Sequence, residues 1–339
     1  MIRGEIVFIV GMSRSGTTLM ARVLGKGPNA VVLRETHLFR EFGGYLLKGP
    51  NRTLPRNSVI KIAERFGAIQ RHSYYGRHRG VSVEEEYPGL LDNWEQVNTP
   101  TKLIEYLLFS KADGKVVVDQ TPNHVFCLDL IRSHFSNARI LNMVRDPRAV
   151  VYSQKNKWRT AKRKKEAPFF EVVRSWCNYH PLTQALLWKR SIDAFQDHAS
   201  RHEDDACLTV RFEQFVRQPD EVLRQVTGFC GISFREDMLD VDLSGSSNIA
   251  GRHAGFVTEV TNRWPSGLSA SERWLIERIA GEQLNRFDHC AKGPFDPLGV
   301  LGWLLVAPFQ VALALILNVR RLKNPVVFFT RFFGKSNVS

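Results

Sequence analysis

The sequence has few cysteines, and none of them form a CxxC pair. Its 339 residues contain Cys127, Cys177, Cys207, Cys230 and Cys290. An odd number at wide spacing argues against a disulfide framework and a zinc knuckle, and it favours a reducing compartment. Internal repeats and low-complexity segments are also absent, and 43% of the residues are apolar. These features exclude a disordered or collagenous chain and indicate a globular protein with one large core or two domains.

Acidic residues are in the minority, with 34 Asp and Glu against 47 Lys and Arg, and the formal net charge is +13. Residues 155–166 and 320–339 hold +11 of this charge, so the rest of the chain is nearly neutral. A nucleic-acid-binding protein more often spreads its basic residues over a face or groove, so we expect no nucleic-acid partner. Residues 155–166 are expected either to be a solvated face or to act as an anion-binding loop or lid.

A long apolar run covers residues 297–319 and contains no charged residue. As one helix it would reach about 35 Å, enough for the roughly 30 Å core of a bilayer. Pro308 lies inside the run, and Arg320, Arg321 and Lys323 follow it. Four arrangements are open: a membrane span, a hairpin broken at Pro308, an in-plane interfacial helix, or a buried helix in the core or a dimer interface.

The chain starts with MIRGEIVFIV, which enters a strand pattern with no signal peptide ahead of it. A single span with the basic residues inside would place the body of the protein outside the cell, which this start disfavours. We therefore expect a cytoplasmic protein in which residues 293–339 form a tail attached to the cytoplasmic face of the membrane. Residues 1–292 are expected to form the main domain.

Strands alternate with helices along the main domain, which favours a parallel sheet. The predicted fold class is α/β, a P-loop-like three-layer sandwich with a central parallel sheet flanked by helices. Residues 40–100 are expected to be an irregular insertion on the substrate side. Strands are predicted at residues 5–10, 31–33, 115–118, 138–144 and 208–212, and helices at residues 17–24, 125–134, 148–154 and 219–229.

A glycine-rich loop follows the first predicted strand. Gly11 and Gly16 have the GxxxxG spacing of a phosphate loop, and the next helix would direct its free amides at an anion. Thr17 stands where a Walker A loop has Lys, and the loop cation is Arg14 instead. This change disfavours a metal-assisted kinase and suits a site in which a guanidinium neutralises a leaving group. No metal is expected.

The segment GMSRSGTTLMARVL resembles the 5′-phosphosulfate loop of the sulfotransferases that use 3′-phosphoadenosine 5′-phosphosulfate (PAPS). Its RSGTTLM portion is most similar to the loop of tyrosylprotein sulfotransferases and their bacterial relatives. The resemblance implies PAPS as co-substrate, with Arg14 on the transferring sulfuryl group and the bridging oxygen. It also implies that the nucleotide is bound by Ser15, Gly16, Thr17 and Thr18.

A second segment, ARILNMVRDPRAVVYS at residues 138–153, resembles the 3′-phosphate motif of the same family. Its apolar strand ends at Arg145, and Ser153 follows on the next helix. A dianionic phosphate calls for a planar guanidinium and a hydroxyl donor, which these two residues supply. Taken alone, the same pattern is also typical of a salt-bridged helix start.

A third segment, Asn262-Arg263-Trp264, resembles the Gly-Arg-Trp segment before the last helix of bacterial sulfotransferases. A capping box at Ser269 and Glu272 opens that helix, which is predicted to run through Ala280. The resemblance implies that Arg263 contacts the nucleotide, although an ordinary surface arginine fits equally well. In all, the resemblance covers about residues 5–290.

Sulfuryl transfer needs a base that removes the proton of the acceptor. Glu35 ends the second predicted strand, at the same edge of the sheet as the loop. By resemblance to tyrosylprotein sulfotransferases, Glu35 is the general base. His37 and His124 are the alternatives, since a histidine is the base in the cytosolic branch. Gln120 stands where many relatives carry lysine.

These motifs predict a sulfotransferase that transfers the sulfuryl group of PAPS to an acceptor hydroxyl. The membrane-seeking tail favours a glycan or lipid-linked acceptor over a protein, because a tethered enzyme gains effective concentration on a substrate in the same plane. Two other functions are open. One is a P-loop nucleotide or metabolite kinase with Asp119 on magnesium, and the other is a membrane-bound protein that binds a nucleotide without turnover.

Overall fold

The computed structural model describes residues 4–72, 81–159, 169–202, 205–240, 256, 261–287 and 293–319. The strands are β1 (Ile6–Gly11), β2 (Ala30–Leu33), β3 (Val116–Asp119), β4 (Arg139–Val144) and β5 (Cys207–Arg211). The helices of the first half are α1 (Thr17–Leu24), α2 (Leu38–Glu41), α3 (Gly43–Leu46), α4 (Arg56–His72), α5 (Val83–Glu86), α6 (Pro100–Phe109) and α7 (Leu128–His134). Those of the second half are α8 (Pro147–Lys155), α9 (Phe169–Cys177), α10 (Pro181–His202), α11 (Phe212–Arg217), α12 (Pro219–Cys230), α13 (Trp264–Gly267), α14 (Ala270–Arg286) and α15 (Pro297–Asn318).

The five strands form one sheet in the order β2-β3-β1-β4-β5, and every neighbouring pair is parallel. Helices cover both faces because each strand alternates its side chains between two cores. In β1, Ile6, Phe8 and Val10 face the cluster that includes α4, α6 and α7, whereas Val7 and Ile9 face α1 and α12. The predicted three-layer α/β fold is therefore confirmed.

Residues 40–100 are more regular than the sequence analysis predicted. Within them, α4 is a helix of 17 residues that buries Val59, Ile62, Phe66 and Ile69 on one face. These apolar residues recur every three or four positions, which is the period of a helix. The Arg, Lys and Glu residues between them make the segment polar overall, so the period was not recognised. The expectation of an irregular segment is wrong, while its role on the acceptor side stays a prediction.

Residues 297–318 form one continuous helix, α15, with Pro308 inside it. The hairpin broken at Pro308 is therefore wrong, since the helix continues on both sides of the proline. By length and composition α15 is long and apolar enough to cross a membrane. Residues 320–339, with the basic end of the predicted tail, lie outside the described residues.

Gly11, the last residue of β1, is a position where only glycine fits. Its φ is +132°, and a Cβ there would lie 2.4 Å from the carbonyl oxygen of Met143. We expect Gly11→Ala to lower the free energy of unfolding by about 1–3 kcal/mol, as a strained backbone does. Gly44→Ala is the control, because a Cβ at Gly44 meets nothing within 4 Å. Equal urea midpoints for the two variants would refute this account of the loop.

Candidate functional site

The polar residues singled out in the sequence follow strands that end at one edge of the sheet. The loop 11–16 follows β1, Gln120 follows β3, Arg145 follows β4, and Glu35 lies two residues beyond β2. In a parallel sheet the carboxyl ends of the strands share an edge, and ligands bind in the crevice outside it. The candidate site is therefore built at this edge.

The loop after β1 has an unusual backbone. Arg14 has a φ of +83° and Gly16, the residue before α1, has a φ of +96°. A positive φ is uncommon for a residue with a side chain and persists where the surroundings enforce it. A Cβ at Gly16 would lie 2.3 Å from the ring of Phe212, so glycine is required for this close approach. The loop thus presents its amides and Arg14 at the edge of the sheet.

Ser15 in the same loop is fully buried. Its hydroxyl has no hydrogen-bond partner within the described part of the chain. A buried hydroxyl without a partner is costly, and an anion bound in the loop would accept its hydrogen bond.

The two predicted phosphate motifs meet at Arg14. Its Nε donates to the Ser153 hydroxyl at 2.9 Å, and Arg145 Nη1 donates to the Arg14 carbonyl oxygen at 3.2 Å. The Arg145 guanidinium also stacks over the Phe212 ring, with Cζ 4.4 Å from the ring centroid. Residues more than 130 positions apart in the chain therefore form one cationic site.

The electrostatics of this site favour an anion. Burial lowers the pKa of Arg145 to about 10, the carboxylate of Glu213 opposes this, and the charge of Arg14 lowers it further. Burial also lowers the pKa of Arg14, and Glu35 opposes it. Two neighbouring guanidiniums removed from water repel each other, so a bound dianion would stabilise both.

The candidate bases lie together beside the loop. Gln120 Nε2 donates to Glu35 Oε1 at 3.2 Å, and His37 Nε2 lies 3.2 Å from Glu35 Oε2. The Glu35 side chain is 42% exposed, whereas His37 is 4% exposed. Glu35 thus has a carboxylate that accepts a hydrogen bond from Gln120, lies beside His37 and is still open to an acceptor.

His124, the other alternative base, is buried behind this pair. Its ring packs edge-on against Phe8 and Phe39, and its Nδ1 lies 3.7 Å from Asp119 Oδ2.

Asp119 does not present its carboxylate to a metal. It is fully buried, and its two oxygens accept hydrogen bonds from the hydroxyls of Thr36 and Thr121. Burial raises the pKa of this carboxyl to about 7, although both hydroxyls oppose the shift. This geometry disfavours the kinase alternative, which needs Asp119 on magnesium.

The segment Arg145-Asp146-Pro147-Arg148 fits both interpretations of its sequence. Arg145 points into the site, whereas Arg148 is paired with Asp146 at 2.7 Å and Glu277 at 3.0 Å. The Arg148 guanidinium also lies over the Trp264 ring, with Cζ 4.2 Å from its centroid. One arginine thus belongs to the anion site and the other stabilises the start of α8.

Arg263 directly precedes α13, and Trp264 of that helix packs on Arg148. This segment therefore lies against α8, the helix that carries Ser153. Its nucleotide contact stays a prediction. The capping box at Ser269 and Glu272 is present, and its helix α14 runs to Arg286, beyond the predicted end at Ala280.

At the start of α1, Thr17 is buried and Thr18 is exposed. Of the basic run, Lys155 is already paired with Glu272 at 2.8 Å. Residues 160–166 lie outside the described residues, so a lid role for residues 155–166 stays a prediction.

Sequence reasoning missed Phe212 and Glu213. Both begin α11 directly after β5, and Glu213 accepts a hydrogen bond from the Asp146 amide at 3.0 Å. Gln120 stands where many relatives carry lysine, but its hydrogen bond to Glu35 could not be predicted from that position. The available signal was position alone, since all three follow strands that end at the same edge.

A cavity of about 340 Å³ adjoins the site. The loop residues Met12 and Ser13 and the histidines His37 and His124 line one part of it. Residues from α9, α10, α15 and the connection 178–180 line much of the rest, and residues of the segment 121–127 and Gln154 contribute as well. Of residues 40–100 that the structure describes, Arg40 belongs to this lining.

A sequence model of the sulfotransferase family matches residues 6–236. The chain belongs to the sulfotransferase family. The sulfotransferase domain from the curacin biosynthetic pathway has the same fold, with a TM-score of 0.51 at 18% identity. That likeness covers 83% of this chain and 98% of the solved domain.

Among curated relatives of this sulfotransferase, protein-tyrosine sulfotransferase 2 of Gallus gallus is 24% identical over 292 residues, or 84% of this chain. The nodulation protein NoeE of Sinorhizobium fredii is 23% identical over 235 residues, or 67% of this chain. The chain spans 67% of the Gallus gallus protein and 50% of NoeE. It spans 39% and 55% of two further protein-tyrosine sulfotransferases.

The raised pKa of Asp119 predicts a pH-dependent stability. The folded protein holds this proton up to about pH 7 while the unfolded chain releases it near pH 3.8. The carboxyl therefore stabilises the fold fully below about pH 4, and this contribution is lost as the pH rises to about 7. Relative to Asp119→Asn, the free energy of unfolding should fall by as much as about 4 kcal/mol over that range. Parallel urea-unfolding profiles for the two proteins would contradict the assignment.

Proposed function

We propose that the chain transfers the sulfuryl group of PAPS to a hydroxyl of a glycan or lipid-linked acceptor. The acceptor oxygen forms a bond to sulfur, and the bond between sulfur and the bridging oxygen breaks. Adenosine 3′,5′-bisphosphate leaves with the electrons of that bond, and a base takes the proton of the acceptor. The reaction needs positioning and charge stabilisation, and it needs no metal.

This proposal rests on the observation that the two predicted phosphate motifs meet in one site. Arg14 and Arg145 lie in one site, where Ser153 of α8 accepts a hydrogen bond from Arg14. Arg14 and the first amides of α1 would stabilise the charge that develops on the leaving phosphate. Arg145 and Ser153 would hold the 3′-phosphate. Membership of the sulfotransferase family supports the same donor.

Glu35 is the base in this proposal. Its carboxylate is accessible and accepts a hydrogen bond from Gln120. The electrostatic influence of Glu35 on Arg14 supports this role, because Arg14 is the loop cation that would meet the sulfuryl group. An acceptor hydroxyl held there could lose its proton to Glu35 while its oxygen attacks sulfur.

The acceptor and the location are the least constrained parts of the proposal. Several relatives are named for protein tyrosine, which supports a hydroxyl acceptor. The exposed apolar helix α15 supports a substrate in or on a membrane. We also propose that the protein lies on the cytoplasmic face, because Arg320, Arg321 and Lys323 follow the helix.

The first test uses PAPS carrying radioactive sulfur and three acceptors: an acidic tyrosine peptide, a soluble glycan mixture and a glycolipid mixture. We expect label in the glycan or glycolipid, and we expect EDTA to leave the rate unchanged. Label in the peptide alone would overturn the acceptor class. Transfer of phosphate from ATP that requires magnesium, with no transfer of sulfur, would overturn the proposal.

The second test addresses the base. Glu35→Gln should lower kcat by about 10²–10⁴-fold, because the amide keeps the shape and loses the basic oxygen. Affinity for adenosine 3′,5′-bisphosphate should change little. His37→Gln and His124→Gln are the comparison variants, and a larger loss of kcat in either of them than in Glu35→Gln would transfer the role to that histidine.

A further inference from the structure

One face of α15 packs against the body of the protein along the whole helix. Val300 and Ala307 are buried, the Trp303 carbonyl accepts a hydrogen bond from His180 at 3.1 Å, and Gln310 donates to the Cys177 carbonyl at 3.4 Å. At the far end, Asn318 Nδ2 donates to Asn178 Oδ1 at 2.8 Å. The contacts recur every three, four or eight residues, which places them on one side of the helix. The polar residues Gln310 and Asn318 therefore attach this face of the helix to the body through hydrogen bonds.

The opposite face of α15 is apolar and uncovered within the described part of the chain. Leu305 is 64% exposed and Phe309 is 77% exposed, and Leu298, Leu301 and Ile316 are exposed as well. The helix contains no charged residue in its 22 positions. A contiguous apolar surface of this extent is rare on a monomer in water and marks an interaction site.

The neighbouring helix α9 extends this surface. Arg174 of α9 donates to Asn318 of α15 at 3.0 Å, so the two helices are joined. Phe169, Phe170 and Trp176 of α9 are exposed. Trp and Phe beside an apolar helix are typical of proteins that sit in the interfacial region of a membrane.

The chemistry of this surface fits a lipid membrane better than a protein partner. A protein interface carries polar groups at its rim, whereas the exposed positions of α15 carry none. Arg320, Arg321 and Lys323 follow the helix directly, and no acidic residue occurs from there to residue 339. Basic residues at the end of an apolar helix are attracted to anionic lipid head groups. Because α15 lies against the body along its length, it would enter the membrane in plane.

The same helix forms part of the cavity beside the catalytic edge. Val311, Ala314 and Leu315 line this cavity together with His37 and His124. The cavity therefore connects the end that holds the candidate bases to the helix that would contact lipid. A hydrocarbon chain that leaves the membrane along α15 would bring a head-group hydroxyl toward Glu35.

We propose that α15 docks on a lipid surface and is also a wall of the acceptor cavity, so that the acceptor is a hydroxyl-bearing lipid. This inference rests on the proposed function and specifies its substrate class. The lipid's hydrocarbon chain occupies the part of the cavity that is lined by Val311, Ala314 and Leu315. Its hydroxyl lies at the end of the cavity formed by the loop after β1.

The test uses the full chain and vesicles of equal parts phosphatidylglycerol and phosphatidylcholine. The vesicles carry a long-chain alcohol with a photoreactive diazirine near the end of its chain. Cosedimentation measures docking, and mass spectrometry of the crosslinked peptides measures occupancy of the cavity. Affinity for adenosine 3′,5′-bisphosphate is measured on every variant as a readout of the donor site.

We expect the alcohol to label the cavity side of α15 and the segment around Asn178. The double variant Leu305→Glu with Phe309→Glu should lower cosedimentation at least about tenfold, since it puts two charges on the docking face. Ala314→Trp should fill the cavity, so labelling there should fall several-fold while cosedimentation is retained. Leu313→Trp is the matched control, because Leu313 lies outside the cavity lining, and it should change neither readout.

Three results would overturn the inference. Labelling of the outward face alone, or cavity labelling unchanged by Ala314→Trp, would make α15 an anchor without a role in the acceptor site. A dimer lost in the double variant, without vesicle binding, would mean that a second copy of the chain covers the surface. In each case retained bisphosphate binding would leave the donor assignment intact. If the unaltered protein does not bind adenosine 3′,5′-bisphosphate, the proposed function itself is refuted.

Discussion

The repulsion between the half-buried guanidinium of Arg14 and the buried guanidinium of Arg145 is the constraint on which the site depends. The parallel sheet brings them together, because β1 and β4 are neighbours and end at the same edge. Ser153, the Phe212 ring and Glu213 hold them there. A protein that places two desolvated cations side by side has a strong electrostatic preference for a multiply charged anion. The family match and the loop chemistry are consistent with that preference.

The proposed base, Glu35, interacts electrostatically with Arg14, and the cavity is lined by Met12 and Ser13 of the same loop. Gln120 donates a hydrogen bond to Glu35, and the Asp119 carboxylate accepts hydrogen bonds from the hydroxyls of Thr36 and Thr121. In the proposed function, Arg14 and Arg145 would face the nucleotide and the Glu35 carboxylate would face the acceptor hydroxyl. Such a division suits a transfer in which one bond to sulfur forms as the other breaks.

Much of the fold could be predicted from the sequence, because strand, loop, cation and helix are encoded locally. Arg14, Arg145 and Ser153 were predicted in the same way to bind the nucleotide. The structure brings the three residues together, and their contact with a nucleotide stays a prediction. The contacts of Phe212 and Gln120 with the site were not predicted. These contacts depend on which strands are neighbours in the sheet, and that order leaves no local pattern in the sequence. The hydrogen bonds that attach α15 to the body of the protein were not predicted for a similar reason. Gln310 and Asn318 look like interruptions of an apolar run until the carbonyls of Cys177 and Tyr179 and the side chain of Asn178 are placed beside them.

The central claim is that the two motifs form one site for a nucleotide with phosphates at both its 3′ and 5′ positions. The most direct measurement is the ratio of affinities for adenosine 3′,5′-bisphosphate and adenosine 5′-monophosphate, without divalent metal, in the unaltered protein and in Arg145→Ala. Arg139→Ala is the control, because Arg139 begins the same strand and pairs with Glu5 at the opposite edge. The account predicts a strong preference for the bisphosphate that Arg145→Ala removes and Arg139→Ala keeps. A preference that survives in Arg145→Ala, or that is absent from the unaltered protein, would contradict it.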